Sequence, residues 1–91
     1  MKWPLVEIRW VDSTGTHRWT RLEEVLEQGV SECVSVGYLL RDDERQKTLC
    51  ASVDLCVEHL PGSNVDGVMC IPTCAVVSQR IVEPSSEEQS T

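Results

Sequence analysis

Glu32-Cys-Val-Ser-Val-Gly-Tyr-Leu-Leu40 is followed at once by Arg41-Asp-Asp-Glu-Arg45, and a second apolar run opens near Lys47. Nine nearly uncharged, β-branched residues that stop at a block of charge read as a strand ending in an exposed loop. The following run, about 47–53, returns as its partner. A hairpin of this kind needs a small β-core to bury one face, and nothing in it is arranged for chemistry.

The segment before the hairpin alternates. In Leu5 to Val11, Val6, Ile8 and Trp10 point one way and Glu7 and Arg9 the other, the period of a half-buried strand. Asp12-Ser-Thr-Gly15 ends it with turn residues, Gly15 offering a positive φ. Thr20-Arg-Leu-Glu23 has the form of a capping box, and Leu22, Val25 and Leu26 make an apolar stripe on a helix of about two turns. Gly29 suits its C-terminus. After the hairpin, 55–64 is irregular and Pro61-Gly-Ser-Asn64 breaks the chain. Val68 to Ile71 reads as a fourth strand. One tight turn spans Thr73 to Ala75, and Val76 to Val82 is a fifth strand with Val77 and Ile81 opposite Ser78 and Arg80. The end, 84–91, is polar and acidic, and its composition predicts disorder.

The expected fold is mainly β: a small five-stranded, partly closed barrel of the SH3-like or Sm-like kind, with one short helix between strands 1 and 2. Curling five short strands removes most of the exposed edge. The barrel is one domain over residues 1–83. Ninety-one residues build only a modest core, so the chain is expected to form a homo-oligomer.

Eight basic against fifteen acidic residues give a formal charge of −7. Nucleic-acid binding rests on clustered cations facing phosphate, so an Sm-like RNA-binding role is disfavoured, as is attachment to an anionic membrane. No apolar run approaches the roughly 20 residues that span a bilayer, and no signal-peptide core is visible, which predicts a cytoplasmic protein.

Five cysteines (Cys33, Cys50, Cys56, Cys70 and Cys74) are an odd number. Most sit in or beside apolar strand-like segments, where a thiol behaves as a small hydrophobe, so reduced, buried cysteines are expected. Only Cys70 and Cys74 have zinc-like spacing, and Pro72 between them suits a metal knuckle poorly. Neither His17 nor His59 is placed beside a nucleophile. No metal, cofactor or catalytic residue is assigned, and the chain is read as a non-enzyme. Asp42-Asp-Glu44 lacks the spacing of a calcium loop and is read as a solvated hairpin tip.

Arginine outnumbers lysine six to two, and its planar fork suits phosphate, carboxylate and aromatic faces. Arg18-Trp19 and Tyr38 with Arg41 pair a cation with a ring near strand ends. These four residues are the candidate ligand site, for a small phosphorylated nucleotide. The competing reading makes Trp10 and Trp19 core or interface residues and pairs the arginines with the excess acid.

Arg9-Trp-Val-Asp12 with Gly15 and Trp19, then Cys33-Val-Ser-Val-Gly-Tyr-Leu39, then Ile71-Pro72 with Val76 and Ile81, resemble in order and spacing a loose group of small proteins encoded by tailed bacteriophages and prophages. The resemblance covers about residues 5–83. It implies a phage accessory protein in the host bacterial cytoplasm, of a kind that includes counter-defence factors sequestering nucleotide signals. The alternative is a protein-interaction module that inhibits a host factor through its acidic surface.

Overall fold

The computed structural model describes residues 3–54 and 64–82. Strands β1 (Leu5–Asp12), β2 (Ser31–Asp42), β3 (Gln46–Cys50), β6 (Met69–Pro72) and β7 (Val76–Ile81) form one antiparallel sheet in the order β6-β3-β2-β1-β7. Helix α1 (Leu22–Glu27) lies between β1 and β2. Two short strands, β4 (Ser52–Val53) and β5 (Val65–Asp66), pair separately. The mainly β fold with a single short helix is as expected. The small second sheet is an addition: the third strand, expected over about 47–53, ends at Cys50, and Ser52–Val53 pairs instead with Val65–Asp66. The expected disordered tail, Cys56, His59 and most of the 55–64 breaker lie outside the described residues.

The sheet's two edges, β6 and β7, are joined by one 3-10 turn, Thr73–Ala75, and do not pair with each other. Pro72 lacks an amide hydrogen and ends the edge strand β6, where the loss breaks no interior ladder. The sheet is therefore curled but is not a closed barrel.

Three features curl it. A bulge interrupts the β1–β7 register between Arg9 and Trp10, leaving Val77 as the extra residue, and another interrupts β2–β3 between Leu39 and Arg41. Each bulge bends and twists its strand. The third is Gly37, buried in the middle of β2, where a Cβ would stand 2.8 Å from the Cys50 carbonyl oxygen and 3.1 Å from the Leu49 Cβ. Only a glycine lets β3 approach this closely.

The concave face buries Val6, Ile8, Leu49 and Ile71, with Trp10, Leu39 and Val76 packed around them. The alternation in β1 places these side chains as the sequence predicts, with Val6 and Ile8 inside and Arg9 outside. Two polar contacts each skip a strand. Inside the curl, Ser35 Oγ of β2 lies 3.4 Å from Met69 Sδ of β6, and the same oxygen accepts from the Trp10 indole N–H at 3.0 Å. At the opposite end, Gln79 Nε2 of β7 donates to Asp42 Oδ2 of β2 at 3.4 Å.

The helix departs from expectation. It begins at Leu22, so Arg21 is the N-cap and has no side-chain capping bond. Thr20 falls one residue too early to reach the first-turn amides, and its hydroxyl donates to the Arg18 carbonyl instead. Neither Gly15 nor Gly29 has positive φ; among the described residues that conformation belongs to Gly67 alone, at +70°, where the backbone turns against Ala51. The cysteines also divide. Cys50 is buried and Cys33 half-buried, but Cys70 and Cys74 are exposed, because β6 is an edge strand and the 3-10 turn sits at the surface. All four are free thiols.

Gly37→Ala should destabilise the fold by about 1–3 kcal/mol, the usual cost of overpacking, read as a lowered urea midpoint with unchanged m-value. A variant as stable as the parent would show that β2 and β3 do not meet there.

Candidate functional site

The hairpin tip is the best-organised polar region. Asp43 Oδ1 accepts from the backbone amides of Arg45 and Gln46 at 2.8 and 2.9 Å, and Oδ2 from Arg41 Nε at 2.6 Å. Asp42 Oδ1 meets Lys47 Nζ at 2.6 Å across the strand pair. Thr73 of the 3-10 turn docks on the same tip. Its hydroxyl donates to the Asp43 carbonyl at 2.7 Å and its amide to the Arg45 carbonyl at 3.1 Å. The acidic run expected to be merely solvated is thus a set of acceptors holding the hairpin to the far side of the sheet.

The pKa directions agree. The Arg41 side chain, then the two backbone amides, hold the Asp43 carboxyl down to about 2. Lys47 lowers Asp42, and Arg80 lowers Glu7, which it grips with two bonds at 2.9 and 3.2 Å across β1–β7. These carboxylates are held ionised by structural partners. A general acid at neutral pH needs the opposite shift. Burial pushes the Cys50 thiol up, away from the thiolate that a nucleophile requires. Among the described residues, no group of three His, Cys, Asp or Glu side chains is placed to hold a metal ion.

The four candidate ligand residues fall in two places. Tyr38 is half-buried opposite Leu5 and Cys50, and Arg41 is taken by Asp43. Arg18 and Trp19 lie in the excursion that leaves the sheet between Asp12 and Ser31. The eight residues of β1 separate these ends, about 23 Å at 3.3 Å per residue. No single small ligand touches both pairs at their roots in the sheet. Trp19 and Arg18 do line a shallow, open hollow with His17, Thr16 and Val25, all on the excursion itself.

That excursion, residues 13–30, is an arm. Thr14 ties its two stems, donating to the Gly29 carbonyl at 2.6 Å and accepting from Gln28 Nε2. Beyond the tie it buries nothing: α1 contains no buried residue, Trp19 is 102% exposed and Leu26 76%, and Leu22, Val25 and Val30 are also exposed. The apolar stripe of the helix, Leu22, Val25 and Leu26, faces water. At the arm's root, Arg9, Val11, Glu32, Val34 and Val77, with Trp10 and Cys33, line a cleft of about 320 Å³. Val34, Val36, Val77 and Ile81 leave further apolar surface exposed on the sheet. Neither the cleft nor the arm is legible as a site in the sequence, because both are made of residues that ordinarily fill a core. The one available signal is arithmetic: the chain carries more large apolar residues than so small a sheet can enclose.

Comparison of the chain with family models, curated proteins and solved structures found no match.

Acid should loosen the hairpin tip in a defined window. Asp43 has a folded pKa below its ordinary 3.8, so its stabilisation is complete above that value and is lost as pH falls toward about 2. The carboxyl resonance of Asp43 should titrate with a midpoint near 2, and Asp43→Asn should flatten the melting temperature between pH 4 and 2. A midpoint at 3.8 would show that the network does not form in solution.

Proposed function

We propose that this protein is a non-catalytic interaction module whose docking element is the arm 13–30. The observation that carries the reading is the fully exposed Trp19, flanked by Arg18 and Arg21 and backed by exposed Leu22 and Leu26. Large exposed apolar patches on small proteins mark interaction surfaces, and Trp and Arg dominate the energetics of such surfaces. The arm is presented by a rigid sheet and tied at its stems by Thr14, which limits the entropy lost when it docks. The sheet order and the 3-10 turn between its edge strands support placing the fold with the half-open SH3-like and Sm-like barrels.

The setting is the one that the phage resemblance implies, a phage accessory protein acting on a host factor in the bacterial cytoplasm. The charge of −7 favours a target with a basic surface. A nucleotide-type ligand at Arg18, Trp19, Tyr38 and Arg41 is the weaker reading, because the two pairs stand at opposite ends of β1.

A Trp19→Ser, Leu26→Ser variant should keep its circular dichroism and melting temperature, since both side chains are solvent-exposed, yet lose a stoichiometric host partner that the parent retains in native mass spectrometry. Cyclic nucleotides and ADP-ribose derivatives should leave the melting temperature unchanged. A shift with any of them, abolished by Tyr38→Phe and Arg18→Ala together, would reinstate the nucleotide site and overturn the docking reading.

A further inference from the structure

We infer that the arm's partner includes a second copy of this chain: Trp19 of one protomer seats in the Val11, Val34 and Val77 cleft of the other, and the two copies exchange arms about a two-fold axis. The inference deepens the docking reading and rests on it. Four observations carry it.

The first is area. Among the described residues four large hydrophobic residues are nearly inaccessible, while twelve are exposed. Nine of the twelve lie on the arm (Trp19, Leu22, Val25, Leu26, Val30) or on the sheet strands β2 and β7 (Val34, Val36, Val77, Ile81), a concentration of apolar surface of the kind that stable interfaces of roughly 800 Å² per partner bury. A sheet this small gains most from a second copy that covers the same surface.

The second is fit. The cleft at the arm's root holds about 320 Å³, room for one large aromatic side chain, and Val11, Val34 and Val77 line it beside Arg9 and Glu32. The arm carries one such side chain, Trp19. Knob and cleft thus occur on one chain, and in the protomer neither covers the other: Trp19 stays fully exposed, and Val34 and Val77 remain in water.

The third is charge. Arg18 and Arg21 beside Trp19 have no ion-pair partner among the described residues, and neither does Glu32 on the cleft's rim. Either arginine of one copy can pair with the free Glu32 beside the other's cleft, a local attraction set against the repulsion between two copies of net charge −7.

The fourth is topology. The cleft is built from the last residues of β1 and the first of β2, the same residues from which the arm departs. With root and receptor adjacent, a two-fold axis passing beside them lets each arm reach the other's cleft, so one patch serves both halves of an isologous pair.

Light scattering and sedimentation on the full chain, from about 1 to 100 µM, give the test. The parent should be a dimer. Trp19→Ser (empty knob) and Val34→Asp (spoiled cleft) should each weaken self-association at least about tenfold. An equimolar mixture of the two should dimerise more tightly than either alone, because one intact knob then meets one intact cleft. Should Val34→Asp fail to fold, Val77→Asp on the edge strand takes its place. A parent that is monomeric throughout, or dimers unchanged in both variants, overturns the inference. If the parent is monomeric yet still takes a host partner through Trp19, the second-copy inference falls and the docking reading stands. If Trp19→Ser changes neither property, both fall.

Discussion

Among the described residues no layer covers the five-stranded sheet, which must bury its apolar face against itself, and the architecture follows from that constraint. Ile8 on β1 and Ile71 on β6 are both completely inaccessible, although two strands lie between them in the sheet. They belong to one cluster only because the sheet curls until its concave face closes over them. The helix gives no help, since it packs none of its residues. The curl depends in turn on Gly37, where any side chain would collide with β3, and on the two bulges that bend β2 and β7. Steep curvature is thus obtained from one missing Cβ and two extra residues.

Polar groups then hold the curled sheet at its ends. The Ser35 hydroxyl satisfies the Trp10 indole and touches Met69, linking β1, β2 and β6 on the concave side. At the hairpin tip, Asp42 and Asp43 collect Lys47, Arg41, Gln79 and two backbone amides, and Thr73 brings the 3-10 turn to the same place. Exposed ion pairs are individually weak. Their value here is to fix the tip, to which hydrogen bonds from Gln79 and Thr73 then join elements from both edges of the sheet. An acidic cluster that resembles a cation site therefore has its oxygens already occupied by the protein's own donors.

What remains after the core is filled is a surplus of apolar surface, and it is not scattered. It concentrates on the arm between β1 and β2 and on the sheet face at the arm's root. A small domain usually hides such residues in a second layer. Here the helix that might have supplied that layer is carried outward on a stem tied by Thr14. The same feature that leaves the monomer's core small equips the chain to dock.

The sequence by itself determined the elements with strong local signals. The alternation of Val6, Ile8 and Trp10, the β-branched run through Val36 and the Pro72-Thr73 break each locate a strand or turn, because strand period and turn chemistry act over a few residues; the charged block marks the hairpin tip, although β2 runs on through Arg41 and Asp42 before it turns. Tertiary structure alone decided where the side chains finally stand. It put Leu22 and Leu26 in water, because the arm projects and does not fold back. It separated Arg18 and Trp19 from Tyr38 and Arg41 by the length of β1, since the two pairs flank opposite ends of the same strand. It exposed Cys70 and Cys74, which sit on an edge strand and a surface turn. Periodicity reports which residues share a face; which faces are covered depends on contacts between residues distant in the chain, and these are set only when the sheet curls.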